Sequence, residues 1–350
     1  MNGQWQTRMI AVDMDGTLLG ADGKVSARNL AALKAAESAG MEVVVATGRR
    51  HCYAMRQLRG LGLGEESALI SSNGTVVRTI GARLLERAWM PVETARWLCG
   101  HVEEFRNSLV MTFDKVGADG EDARGALVVE ALEELKASIG RWMEANEPYI
   151  ARVVPIERAL EGEAPIQMML CGTIERMRRA EARLLEHPGI VGAAGVQGAR
   201  VQGAGVELTG LRRDEAGRAE AAEESPVGMT SGKDGVEAAL HRTEYPEKDL
   251  SIVDILPAGC SKGSALLRLA KDRGVRAEEI LAVGDNWNDV SMLEVAGRAV
   301  VMGNAPEDLK ALAAERGWPV GARHDEDGVA VAIEAVLPVA VVGFEGGDAA

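Results

Sequence analysis

The chain has 350 residues, with 39 Lys and Arg against 53 Asp and Glu, for a net charge of −14. At about 150 residues per domain, this length predicts two domains. A hydrophobic content of 47% with 26% charged residues excludes disorder throughout. The acidic balance, with no Lys/Arg cluster, argues against nucleic acid as a partner. No apolar run reaches the ~20 residues of a membrane span. The longest, 335–344, is broken by Pro338, and the run at 9–12 ends on Asp13, so no signal peptide is expected. Cys52, Cys99, Cys171 and Cys260 lie far apart with no CxxC, which predicts reduced thiols and a cytoplasmic protein. The histidines form no zinc-type spacing.

In chain order, residues 8–13 read as a short buried strand. Ser26 caps a helix running to Gly40, with Leu30 and Leu33 on its inner face. MEVVVA at 41–46 reads as a second buried strand, 50–61 as a helix and 67–71 as a third strand, followed by the Asn73-Gly74 turn signal. The middle reads as a second α/β unit inserted into the first. It has helices at 91–105, 126–139 and 175–186 and strands at 108–113, 166–171 and 205–209. The six glycines of 189–205 suggest loop or strand edge, and 210–234 reads as a solvated loop or marginal helix. The first unit then resumes with a helix at 261–273, a strand at 280–284, a helix at 288–296, a strand at 299–302 and a helix at 306–316 with Pro306 in its first turn. Residues 339–350 read as a flexible tail. Alternating elements with near-continuous apolar strands predict an α/β fold with a parallel sheet covered on both faces.

Four motifs carry chemistry. Asp13-Met14-Asp15-Gly16-Thr17 follows the first strand, where open parallel sheets build their ligand sites. Two carboxylates there can share a hard cation and still divide the work, Asp13 as nucleophile and Asp15 as proton-transfer group. Gly16 lets the backbone bend and present amides to an anion. A calcium loop also begins DxDG, but Leu18-Leu19-Gly20 supplies none of its further ligands. Thr47-Gly48-Arg49 follows the second strand, and a hydroxyl there can hydrogen-bond a phosphoryl oxygen. Lys262 stands at a helix start, where a cation is misplaced unless it faces an anion. Asp285 and Asp289, in GDNWND after the strand at 280–284, can complete a metal site and pair with Lys262.

Together these residues resemble the haloacid dehalogenase superfamily, and most closely its Cof-type, subclass IIB phosphatases. DMDGT at 13–17, ATGR at 46–49, SKG at 261–263 and GDNWNDVSML at 284–293 match the four family motifs in order. SSNG at 71–74, MGNAP at 302–306 and HDEDGVA at 324–330 add to the likeness. The resemblance implies a Rossmann-like parallel-sheet core domain (1–82 and 256–338) with an inserted α/β cap (83–255), and residues 190–249 of that cap are longer and richer in Gly and Glu than the family suggests. It implies a magnesium-dependent phosphatase of a small, sugar-phosphate-like metabolite that works through an aspartyl-phosphate. Asp13 would attack phosphorus and Asp15 would move the proton. Mg2+ would rest on the Asp13 side chain, the Asp15 carbonyl and Asp285. Thr47, Gly48, Arg49, Lys262 and Asn288 would bind the phosphoryl group, with Asp289, Asn73 and Asn304 in support. Three carboxylates within ~5 Å repel by about 3 kcal/mol per pair at an effective dielectric of 20, so magnesium and Lys262 are what let them meet a phosphate. A phosphomutase or a non-catalytic regulatory protein on the same scaffold is the alternative. Monomer or homodimer is expected, with no nucleic-acid or membrane partner. Cys260 and the Met168-Met169 pair read as packing. His51 reads as either a substrate contact or helix surface, and Trp287 as lining the site's mouth or packing beneath the cap.

Overall fold

The N-terminal apolar run forms strand β1 (Met9–Asp13), buried along its whole length. Ile10 and Val12 face one apolar cluster and Met9 and Ala11 face another. Burial on both faces is why the strand reads as an unbroken apolar run. The computed structural model describes residues 6–117, 120–192 and 235–338.

The remaining strands are β2 (Glu42–Ala46), β3 (Ala68–Ser71), β4 (Val76–Thr79), β5 (Leu84–Arg87), β6 (Leu109–Thr112), β7 (Leu127–Val129), β8 (Ile150–Arg152), β9 (Gln167–Gly172), β10 (Ile190–Gly192), β11 (Ala238–Tyr245), β12 (Leu250–Pro257), β13 (Ile280–Gly284) and β14 (Arg298–Val301). They form two seven-stranded sheets. The first has the order β14-β13-β1-β2-β3-β4-β5, parallel from β14 to β3, with an antiparallel edge of β4 and β5. Helices α1 (Ala27–Ser38), α2 (His51–Leu58) and, near the end of the described chain, α9 (Gly328–Glu334) cover one face through Leu33, Met55 and Ile333. Helices α6 (Lys262–Asp272), α7 (Val290–Val295) and α8 (Glu307–Arg316) cover the other through Leu266, Leu293 and Leu309. Ser26 caps α1, its hydroxyl accepting from the Asn29 amide.

The second sheet, β10-β11-β12-β9-β6-β7-β8, is mainly antiparallel, with parallel pairs only at its two ends. Helices α3 (Val92–His101) and α5 (Ile174–Leu184) pack on one face and α4 (Glu133–Asn146) on the other. The chain leaves the first sheet after Arg87, not at 82–83, and returns after Pro257. Arginines of the first unit meet carboxylates of the second. Arg50 pairs with Asp122, Arg59 lies 2.5 Å from Glu121, and Arg78 and Arg87 share Asp114 at 2.6 and 2.9 Å.

Several local expectations need correction. Residues 126–139 are not one helix. The apolar Leu127-Val128-Val129 stretch, with two β-branched valines, is a buried strand, and α4 begins only at Glu133, where two glutamates suit a helix N-terminus. The helix expected at 50–61 ends at Leu58, and the one expected at 91–105 gives way to 3-10 turns after His101. Strands β4, β5, β7, β8, β11 and β12 and helix α9 have no counterpart in the sequence reading, while β10 is an edge strand at the start of the 189–205 stretch read as loop or strand edge. The expected strand at 205–209, the segment 210–234 and the tail at 339–350 lie outside the described residues.

Candidate active site

The four motif loops converge at the carboxyl ends of β1, β2 and β13 and at the start of α6. Asp13 is the last residue of β1 and is 4% exposed. Lys262, fully buried at the first turn of α6, places its Nζ 2.5 Å from Asp13 Oδ1 and 2.7 Å from Asp289 Oδ1. The other Asp289 oxygen accepts the backbone amides of Asp285 and Asn286, each at 3.0 Å. Asp289 thereby accepts three hydrogen bonds, whereas Oδ2 of Asp13 has no such bond to Lys262. Burial alone would push the Lys262 ammonium down, but Asp13 and Asp289 outweigh it and raise it. Burial, then the Asp289 charge, raises the Asp13 carboxyl well above the usual range, against the pull of Lys262. The same two causes push Asp285 up to about 7, opposed by a hydrogen bond from Thr17.

The turn after β1 explains the glycine. Gly16 has φ +80, and a Cβ there would lie 2.3 Å from Asp285 Oδ2. Thr17 Oγ1 donates to Asp285 Oδ1 at 2.9 Å. Asn304 Nδ2 donates to the Gly16 carbonyl at 2.8 Å and to Asp285 Oδ2 at 3.3 Å, and its Oδ1 accepts the His324 amide at 2.9 Å. Carboxylate oxygens of Asp13, Asp285 and Asp289 lie within 4.8 Å of one another. An all-oxygen donor set, desolvated and rich in negative charge, suits a hard divalent cation. Because Asp289 is held by Lys262 and two amides, Asp13 and Asp285 have the capacity left for an ion.

Asp15 points elsewhere. Arg49 grips its carboxylate in a fork, Nε to Oδ2 at 2.7 Å and Nη2 to Oδ1 at 2.5 Å. Gln57 at 3.0 Å and the Tyr53 ring at 4.8 Å hold the guanidinium from α2. Thr47 is 1% exposed, and its hydroxyl accepts the Arg49 amide at 3.1 Å. Gly48 is closed in by the Asn73 amide, 3.2 Å from where a Cβ would sit. Asn73 adopts the left-handed conformation, φ 53, and donates its backbone N–H to the Thr47 carbonyl at 3.0 Å. Its side chain accepts from Asn288 Nδ2 at 3.2 Å and donates to Asp254 at 2.8 Å. Gly74, φ +99, lets this turn abut α6, since a Cβ would fall 2.1 Å from the Ser261 carbonyl.

The structure thus brings Asp13, Lys262, Asp285 and Asp289 together, with Thr17 and Asn304 bracing Asp285. It places Arg49 on Asp15 and links Asn288 to Asn73. Thr17, Gln167, Tyr245 and Asp254 escaped the sequence reading. A lone carboxylate inside the apolar run 250–257 was the available signal for Asp254. Tyr245, at the end of β11, lies near Asp15 and Asp13. Burial, then those carboxylates, raises its phenol. His51 is not on the helix surface. It is 4% exposed, and burial, then Arg78, pushes its imidazole down to about 4. Trp287 packs against the apolar layer between the first sheet and α6–α8, and Cys260, Met168 and Met169 are buried.

One pH effect follows from Asp254. Burial pushes it up to about 7 despite hydrogen bonds from Gln167 and Asn73. The ordinary value is 3.8, so the native state holds more protons than the unfolded state between those values. Asp254 therefore costs no stability below about pH 4, and its cost is complete above about pH 7. Thermal unfolding of Asp254→Asn and the wild type from pH 5 to 8 measures this. The variant's melting temperature relative to wild type is expected to rise with pH, and a flat difference would contradict it.

A parallel-sheet core, an inserted unit and a buried Asp-Lys-Asp triad at the strand ends define a class of phosphoryl-transfer or related hydrolytic enzymes. A family model described as haloacid dehalogenase-like hydrolase matches residues 10–197 and 233–333. The chain belongs to that family. It is 30% identical to phosphatase YwpJ of Bacillus subtilis, with 92% of this chain and 97% of the relative aligned. It is 27% identical to the 5-amino-6-(5-phospho-D-ribitylamino)uracil phosphatase YwtE of the same organism, over 94% and 98% of the two chains. Among solved structures, the subclass IIB sugar phosphatase BT4131 superposes with a TM-score of 0.62 at 21% identity, covering 94% of this chain and 98% of that one. The expected class, a Cof-type phosphatase, is borne out.

Proposed function

We propose that the chain is a magnesium-dependent phosphatase of a small metabolite carrying a phosphate on a sugar or polyol, working through an aspartyl-phosphate. The observation that carries this is the Lys262 bridge to one oxygen of Asp13 alone, which leaves the second oxygen as the nucleophile. That oxygen attacks phosphorus while the bond to the leaving oxygen breaks. Asp15 gives the leaving oxygen a proton and then takes one from the water that releases phosphate. To do so it turns away from Arg49, whose guanidinium is then free for an anionic oxygen. Asp13, Asp285 and the Asp15 carbonyl would hold Mg2+, which supplies charge neutralisation to the transferring phosphoryl group. Thr47, Gly48 and Asn288 would bind that group, and Tyr245 would meet the leaving portion from the cap. The substrate class rests on the phosphorylated ribityl compound and the sugar phosphate in the names of two relatives.

Phosphate release from an aryl phosphate, with millimolar magnesium and with EDTA, tests the reading. Release is expected with magnesium alone. Cation binding at 100 times its dissociation constant is also expected to stabilise the fold by about 2.7 kcal/mol. Full activity in EDTA with an unmoved melting temperature would contradict the metal assignment. No release from any member of a phosphorylated-metabolite panel would contradict the function.

A further inference from the structure

Arginines flanking α2 and on β4 and β5 pair with carboxylates of the cap. One contact differs, because it ends inside the motif loops. Asp254 lies on the cap strand β12, paired in register with Met169 of β9 and His241 of β11, and is 6% exposed. Gln167, also on β9 and 3% exposed, donates its amide to Asp254 Oδ1. Asn73 donates to Asp254 Oδ2 at 2.8 Å across the unit boundary. Its Oδ1 accepts from Asn288 Nδ2 at 3.2 Å. Asn73 is fully buried and Asn288 is 9% exposed.

The direction of the chain matters. Both Asp254 oxygens accept, Oδ1 from Gln167 and Oδ2 from Asn73, so ionised Asp254 holds the Asn73 amide with nitrogen toward the cap and oxygen toward Asn288. That oxygen in turn holds the Asn288 amide with its nitrogen facing Asn73. One of the two N–H bonds of that nitrogen is used, and the other is set in a fixed direction. The structure assigns Asp254 as a positioning residue: through Asn73 it fixes the orientation of the Asn288 amide, so that the seating of the cap strand sets the phosphoryl pocket. This rests on the reading of Asn288 as a phosphoryl-binding group. Asp254→Asn would put an N–H where the acceptor was, and the Asn73 amide would lose its fixed direction.

A double-mutant cycle on kcat/KM with an aryl phosphate and magnesium tests this. Asn288→Ala removes a donor to the transferring group and is expected to lower kcat/KM by about 10²–10³-fold. Asp254→Asn is expected to lower it by about 10–100-fold, chiefly in kcat, as misplacement of a binding group does. The double variant should then fall no further than Asn288→Ala alone, within about twofold. Gln167→Leu, which removes only the anchor behind Asp254, should give a smaller loss in the same direction and serves if Asp254→Asn does not fold. Losses that multiply in the double variant would overturn the inference while leaving Asn288 in its role. So would wild-type kcat/KM in both the Asp254 and Gln167 variants. A wild-type rate in Asn288→Ala would instead overturn the reading of Asn288, and the inference with it.

Discussion

Replacing Lys262 by methionine is expected to cost about 3–5 kcal/mol of stability, the usual result of removing one partner from a buried charge cluster. The side chain is fully buried, and its ammonium lies 2.5 and 2.7 Å from two carboxylates that are themselves out of water. Without it, Asp13, Asp285 and Asp289 share a desolvated volume with no cation of the protein's own. Burial and mutual repulsion already raise Asp13 and Asp285 above their ordinary range with the lysine present, so the variant should take up further protons there. The loss should accordingly be larger at pH 8 than at pH 5, where protonation relieves the repulsion. A divalent cation should recover part of the loss, because it neutralises the same oxygens. Chemical unfolding at both pH values, with and without magnesium, measures all three effects. A variant as stable as wild type at pH 8 would mean that the triad is not held by its charges.

The second large effect separates the two carboxylates of the first motif. Asp13→Asn should abolish phosphoenzyme formation with every substrate. Asp15→Asn should still transfer a phosphoryl group to Asp13 from an aryl phosphate, whose leaving group departs without a proton. Hydrolysis of the intermediate should then slow by about 10²–10⁴-fold, the range for a lost general base. The signature is a stoichiometric burst of aryl alcohol followed by a stalled steady state. An alkyl phosphate, which needs the proton, should give no burst. Asp15→Asn turning over both substrates at the wild-type rate would remove the acid/base role. Asp15 would then matter only through its backbone and its pair with Arg49.

The parts of the fold that were legible share one physical property. β1, β2 and β13 are buried on both faces, so apart from Glu42 at the start of β2 and Asp13 at the end of β1 their sequences are apolar, and each ends at a motif loop. Helix α1 was legible through the serine that caps it. The inserted unit was harder because its strands β7, β8 and β10 are only three residues long, too short to show a period. Leu127–Val129 joined the helical stretch that follows it for the same reason. Strands β11 and β12 are eight residues each, but charged residues such as Arg242, Glu244 and Asp254 interrupt them. Those charges are satisfied by partners distant in sequence: Glu181 for Arg242, Arg178 for Glu244, and Asn73 for Asp254. In the site, the residue types and their order along the chain were legible, because phosphoryl transfer needs carboxylates, a cation and a hydroxyl at strand ends. The grip of Arg49 on Asp15 was not legible, since Arg49 was expected to face phosphate. Nor was the line from Asp254 through Asn73 to Asn288, because it crosses between two units that the sequence separates by more than half its length.

The central claim is that Asp13 carries the phosphoryl group. Rapid acid quench of the Asp15→Asn variant with an aryl phosphate and magnesium, followed by peptide mass spectrometry, tests it most directly. The account predicts a phosphoryl mass increase on the peptide containing Asp13, lost when Asp13→Asn is added. The same increase on the peptide containing Asp285, or a burst of aryl alcohol with no modified peptide, would contradict it.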